Sequence, residues 1–144
     1  MKNNRIKIYT DGGSRGNPGP AACGVVFKDG HNQVINEFSE FLGERTNGQA
    51  EYEGIIYGLR KAKGLKYKKV DVFIDSQFIV EQLNGHYKIK EEGIIPLFIK
   101  AWNLRLDFDE IKFHYIPREQ NQEADNLVNA ALNRQARIKR IPGL

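Results

Sequence analysis

Four carboxylates, each in its own short context, are the residues of this chain best placed to do chemistry. Asp11 stands in Tyr9-Thr10-Asp11-Gly12-Gly13-Ser14-Arg15-Gly16-Asn17-Pro18-Gly19, and Glu51 follows Thr46-Asn47-Gly48-Gln49-Ala50. Asp75 closes Val70-Asp71-Val72-Phe73-Ile74-Asp75 and opens Ser76-Gln77, while Asp125 ends Asn121-Gln122-Glu123-Ala124-Asp125. They are spread over most of the chain, so only a tertiary fold can bring them together. Carboxylates that converge repel one another and are tolerated when a cation shares the site. Hard oxygen ligands that leave coordination positions open suit Mg²⁺ or Mn²⁺. Taken singly, each residue has a plainer use: Asp11 in a turn, Asp75 as a helix cap, Glu51 and Asp125 beside helix N-terminal dipoles.

The elements that would position them follow from periodicity. Residues 6–10 read as a strand running into Asp11-Gly12-Gly13, a turn signal. Two more strands are predicted over 22–27 and 34–42, joined through Asp29-Gly30. Thr46-x-x-Gln49 is a capping-box pattern and opens a helix with Tyr52, Ile55, Ile56 and Leu59 on one stripe. Residues 69–75 form a fourth strand, apolar enough to be central. A short helix over 76–83 ends at Asn84-Gly85, and another covers 94–106. A fifth strand over 111–116 precedes a last helix over 121–137, striped with Ala124, Leu127, Val128, Ala131 and Leu132.

Early strands in succession suggest an antiparallel meander, and the later ones require helical crossovers. The expected class is therefore α/β: a five-stranded mixed sheet, three antiparallel strands plus two crossover strands, flanked by helices. Asp11 and Asp75 then stand at C-terminal strand ends, where such sheets usually present their sites. Glu51 and Asp125 lie near helix starts, at the margins of their apolar stripes. Helical angle barely separates Glu51 from Glu53.

In their order and contexts, these motifs resemble type 1 ribonuclease H over residues 6–132 or so. The resemblance implies a ribonuclease H-like fold and an endonuclease that hydrolyses the RNA strand of an RNA–DNA hybrid, leaving 5′-phosphate and 3′-hydroxyl ends. It implies two Mg²⁺ ions, with Mn²⁺ as a possible substitute, held by Asp11, Glu51, Asp75 and Asp125. Asp11 would bridge the ions, Asp75 and Glu51 would lie nearest the attacking water, and Asp125 would join Asp11 at the second ion. The Thr-Asn-x-x-x-Glu spacing of the family selects Glu51 over Glu53. Choosing RNA over DNA means reading 2′-hydroxyls across a shallow minor groove. By the same resemblance Gly12 and Gly13 approach the ribose, Gln77 touches the minor groove, and Asn17, Thr46 and Asn47 hold a phosphate of the DNA strand. The plain alternatives are a tight turn for the glycines, an exposed helix position for Gln77, and helix capping for Thr46 or Asn47.

Two departures from the longest members mark a short-loop form. Many carry a mobile, His-bearing loop before the last catalytic aspartate, but here only Pro117-Arg118-Glu119-Gln120 precedes Asn121. His114 falls inside a strand. Short-loop relatives place an arginine or glutamate near this point, so Arg118 is expected to assist catalysis, with Glu119 behind it. Some members also carry a basic protrusion. Its counterpart, Asn84-Gly85-His86-Tyr87-Lys88-Ile89-Lys90, holds two lysines and is followed by Glu91-Glu92. Trp102, inside an apolar helical pattern, reads as core.

Length and composition agree with one catalytic domain over 1–144 and enough chain for a substantial core. A formal charge of +4 favours a polyanionic partner, here the hybrid duplex, but only weakly. The single cysteine, Cys23, has no internal disulfide partner and sits in an apolar run that predicts burial. No apolar stretch approaches the roughly 18 residues of a membrane span. A cytoplasmic monomer without membrane contact is expected. The tail Arg134-Gln135-Ala136-Arg137-Ile138-Lys139-Arg140 is basic, as a frayed helix end or an auxiliary nucleic-acid contact. The competing functions are a ribonuclease H-like domain of a retroelement and a catalytically silent hybrid-binding module. A silent module predicts loss of at least one metal ligand, and all four are present.

Overall fold

Alternation sets the central strand. Ile6, Ile8 and Thr10 point into the core, while Arg5, Lys7 and Tyr9 on the opposite face are half-exposed. This strand, β1 (Arg5–Ser14), pairs antiparallel with β2 (Gly19–Lys28), which pairs antiparallel with β3 (Val34–Arg45). On its other side β1 pairs in parallel with β4 (Lys69–Ile74), and β4 in parallel with β5 (Glu110–Tyr115). The strand order is β3-β2-β1-β4-β5, the mixed sheet that the sequence predicts. The computed structural model describes residues 4–139 and 142–143, so Arg140 of the basic tail lies outside the described residues.

Helices cover parts of both faces. The first, α1 (Asn47–Gly64), starts with both halves of its capping box made: Thr46 Oγ1 accepts the Gln49 N–H and Gln49 Oε1 accepts the Thr46 N–H. Its stripe of Tyr52, Ile55, Ile56 and Leu59 packs into a core with Ile6, Ile8, Val25, Phe27, Val70 and Val72. Burying one such side chain contributes about 1.5–3 kcal/mol. The short α2 (Gln77–Leu83) is capped by the Ser76 hydroxyl, and α3 (Ile95–Leu104) runs into a 3₁₀ turn at Arg105–Asp107. On the other face α4 (Gln122–Lys139) lays Val128, Ala131 and Leu132 on Ala22, with Leu127 half-buried. Cys23 is fully buried between the layers, and burial pushes its thiol up to about 12, with Glu40 and Glu53 adding to the shift. Among the described residues no helix is long and apolar enough to cross a membrane.

Two expectations are corrected. Asp11-Gly12-Gly13 is not a turn, because β1 continues through Ser14, with Asp11 opposite Gly24, Gly12 opposite Cys23 and Gly13 opposite Ala22. The glycine at 12 answers to packing instead: a Cβ there would collide with the backbone of Ala50 and Glu51 in α1. The chain reverses later, around Gly16 at φ +105°. Trp102 is likewise not core. It is half-buried, stacked on Phe98 at 5.5 Å on one side with the Arg105 guanidinium 3.8 Å from its ring centre.

This packing carries a direct test. Gly12→Ala should displace the start of α1 from β1, lower stability by about 1–3 kcal/mol as overpacking does, and move Glu51 relative to Asp11. Urea denaturation measures the first effect. A midpoint equal to that of the parent would show that the helix tolerates the added methyl.

Candidate active site

The backbone delivers each carboxylate to one end of the sheet. Asp11 sits on β1 two pairs before Gly13, Asp75 follows the last residue of β4, Glu51 is in the first turns of α1, and Asp125 is in the first turn of α4. All four line a single cleft of about 480 Å³, together with Gly12, Gly13, Ser14, Arg15, Asn47, Arg118 and Asn129. Glu53, the rival of Glu51, does not line it. Its carboxylate accepts from Arg45 Nε at 2.9 Å.

The electrostatics are those of crowded like charges. The Asp11 carboxyl is pushed up to about 8, first by burial, then by the Asp75 charge and a hydrogen bond shared with Asp125. Glu51 is pushed up to about 7 by burial and by Asp75, and the nearby Arg118 guanidinium partly offsets this. Such groups are held near neutrality until a positive charge enters the cleft. Among the described residues no group of three or more His, Cys, Asp or Glu side chains stands ready to hold a metal ion. The donor type fits all the same: carboxylate oxygens are what a hard divalent cation takes, together with waters and a substrate phosphate.

The substrate-binding residues divide. Gly12, Gly13 and Asn47 line the cleft. Asn47 Oδ1 accepts the Ser14 N–H at 2.9 Å, and its own backbone N–H donates to Asn17 Oδ1 at 3.0 Å, which joins two of the three predicted phosphate ligands in one polar corner. The Thr46 hydroxyl is engaged in capping α1. Gln77 is exposed at the first position of α2 and does not line the carboxylate cleft. Glu119 is exposed and stands apart from the cleft lining. His114 is remote in role too: its Nε2 lies 2.9 Å from Asp71 Oδ1 and its ring stacks on Phe73.

Two features are absent from the sequence reading. A second groove of about 730 Å³ adjoins the cleft through shared Glu51 and Ser76, and carries Phe78, Tyr87, Lys88 and Lys90. Phe78 and Tyr87 pack 5.6 Å apart yet stay about half-exposed, at 57% and 49%. Aromatic residues interleaved with lysines in 78–90 were the available signal. The second feature is Asn121, only 1% exposed, whose Nδ2 donates to Thr10 O at 2.8 Å and Asp75 Oδ2 at 2.9 Å. Burial of a polar side chain leaves no mark in a sequence.

Comparison with known proteins bears on the family and the fold. Residues 9–131 match the family described as reverse transcriptase-like. The chain is 40% identical over 130 residues to the bifunctional protein Rv2228c of Mycobacterium tuberculosis, covering 90% of this chain and 36% of that protein. It therefore spans about a third of the length of the mycobacterial relatives it matches. It is 36% identical over 129 residues to ribonuclease HI of Halobacterium salinarum, covering 90% of this chain and 65% of that protein. The crystal structure of RNase H1 from the same archaeon superposes with a TM-score of 0.88 at 35% identity, over 90% of this chain and 98% of that one. LC11-RNase H1, solved in complex with an RNA/DNA hybrid, gives 0.87 at 41% identity, over 91% and 99% of the two chains. The chain belongs to the ribonuclease H-like family, and the five-stranded sheet is that of these ribonuclease H structures.

The crowded carboxylates make stability depend on pH with a definite sign. Asp11 and Glu51 bind protons more tightly in the folded protein than at their ordinary values of 3.8 and 4.5. The folded state therefore holds the extra protons, and metal-free stability should fall as pH rises from about 4 to about 8. Asp11→Asn should flatten this slope and raise metal-free stability at pH 8 by at least about 1.4 kcal/mol, the equivalent of one pKa unit. Thermal unfolding in chelator at several pH values measures both. A parent stability that climbs steadily from pH 4 to 8 would contradict the assignment.

Proposed function

We propose that this protein is an endonuclease that hydrolyses the RNA strand of RNA–DNA hybrids with the help of two divalent cations, Mg²⁺ or Mn²⁺, leaving 5′-phosphate and 3′-hydroxyl ends. The observation that carries the reading is the convergence of Asp11, Glu51, Asp75 and Asp125, from four separate elements, on one cleft. The hybrid seen bound to LC11-RNase H1 supports the choice of substrate. A silent binding module would have no use for four crowded carboxylates whose mutual repulsion works against folding.

Asp11, Glu51, Asp75 and Asp125 would hold the cations. When bound, such ions activate the attacking water and stabilise the leaving 3′ oxygen. The chain's own groups do the rest. With no side chains at Gly12 and Gly13, the β1 backbone can come close to the minor groove and meet ribose 2′-hydroxyls. The Ser14–Asn47–Asn17 corner and the adjoining groove offer the second strand amides, two lysines and two aromatic rings. Phosphate contacts of this kind fix register without reading sequence. Arg118 lines the carboxylate cleft, and a guanidinium offers donors only and no base. Its work is electrostatic: steadying charge on the phosphate and drawing the cleaved 5′-phosphate away.

Strand-labelled RNA–DNA, RNA–RNA and DNA–DNA duplexes test the reading with and without Mg²⁺. Cleavage should fall on the RNA strand of the hybrid and vanish in chelator. Equal cutting of the DNA duplex would refute it. Arg118→Ala should lower turnover about 10–1000-fold, or about 1.4–4 kcal/mol of barrier, with a smaller change in hybrid affinity. Arg118→Lys should recover part of the loss, as a charge without the planar fork. Normal turnover by Arg118→Ala alongside a crippled Glu119→Ala would reverse the roles of these neighbours.

A further inference from the structure

Asn121 occupies a junction between the pieces of the site. Its amide nitrogen carries two protons and both are engaged: one on the backbone carbonyl of Thr10 at 2.8 Å, the other on Asp75 Oδ2 at 2.9 Å. Thr10 is the residue before Asp11. The backbone of Asn121 serves two further neighbours. Its N–H donates to Arg118 O at 2.9 Å, closing the short turn that carries that arginine. Its carbonyl accepts the Asp125 N–H at 3.1 Å, the first hydrogen bond of the helix that carries the last carboxylate. One buried residue thus ties together the end region of β1, the carboxylate after β4, the turn after β5 and the start of α4.

The chemistry allows few substitutes. Both neighbours are acceptors, a carbonyl and a carboxylate, so the group between them must donate twice and carry no negative charge. Aspartate has the same shape and fails on both counts. Asn121 Oδ1 is buried and has no partner among the described residues, which leaves the donor side alone to fix the ring of contacts. Flipping the amide would set that oxygen against two others, so the orientation is determined by its surroundings. The hydrogen bond to Asp75 Oδ2 restricts rotation of a carboxylate that lines the cleft.

We infer that Asn121 is a positioning residue of this site: its amide holds Asp75 in the orientation that receives a divalent cation, and its backbone sets Arg118 and Asp125 in register with Asp11. The inference rests on the hybrid-nuclease reading for its turnover arm only. Outer partners of metal ligands typically contribute 10–100-fold to metal affinity or activity.

The test uses the full chain with Asn121→Ala, Asn121→Ser and Asn121→Asp. Calorimetric titration with Mg²⁺ alone, without nucleic acid, gives a readout independent of cleavage. Steady-state cleavage of a labelled hybrid gives kcat and KM. For Asn121→Ala, Mg²⁺ binding should weaken at least tenfold and kcat fall 10–100-fold, with KM for the hybrid within threefold of the parent. Asn121→Ser, which keeps one donor, should lie between parent and alanine, and Asn121→Asp should be worse than alanine despite its shape. Should the alanine variant not fold, the serine variant decides by the same two readouts. A folded Asn121→Ala or Asn121→Ser that binds Mg²⁺ and turns over within threefold of the parent overturns the inference and leaves Asn121 a purely structural cap. A parent that binds Mg²⁺ but leaves the hybrid intact defeats the nuclease reading, while the Mg²⁺ titrations still decide the role of Asn121.

Discussion

Carboxylates brought into one half-buried cleft repel each other, and every element around this site is arranged to withstand that repulsion. Burial and the charge of Asp75 raise both Asp11 and Glu51, so in the absence of a cation the cleft stores unfavourable electrostatic energy. The stored energy is also what makes the site useful. In the proposed reading a divalent ion entering the cleft would relieve the repulsion, coupling ion binding to stability. An apolar core built from Tyr52, Ile55, Leu59, Ile8 and Val72 supplies the opposing stabilisation.

Holding four groups at fixed separations requires close contact between backbones. At Gly12 the strand bearing Asp11 touches the helix bearing Glu51 with no side chain between them, and at Gly54 the same helix approaches Asp11 closely in return. On the opposite face Gly24 lets α4, with Asp125, come down onto β2 at Ala124. Rigidity at this end of the sheet follows from missing side chains as much as from those present. The adjoining groove with Phe78 and Tyr87 differs in kind: its rings remain half-exposed, as suits a surface that meets a large polar ligand.

Much of this is legible in the sequence because each carboxylate travels with its local context. The capping box at Thr46, the stripe of α1 and the crossover order are local patterns, and they place Asp75, Glu51 and Asp125 correctly. What the sequence hides is contact between distant segments. Gly12-Gly13 reads as a turn because glycine usually marks one, whereas here it marks the approach of a helix that arrives many residues later. Asn121 draws no notice in the sequence because its acceptors, Thr10 and Asp75, lie far away in the chain. Trp102 reads as core because an apolar helix gives no sign of which stripe will be left at the surface.

The central claim is that this cleft takes divalent cations and the RNA strand together. Its most direct test is a crystal structure of the Asp125→Asn variant with an RNA–DNA hybrid and Mn²⁺, using the anomalous signal of the metal. The account predicts Mn²⁺ in the cleft, shared between Asp11 and a phosphate of the RNA strand, with ribose 2′-hydroxyls facing Gly12 and Gly13. Mn²⁺ bound elsewhere, or the DNA strand lying across the carboxylates, would contradict it.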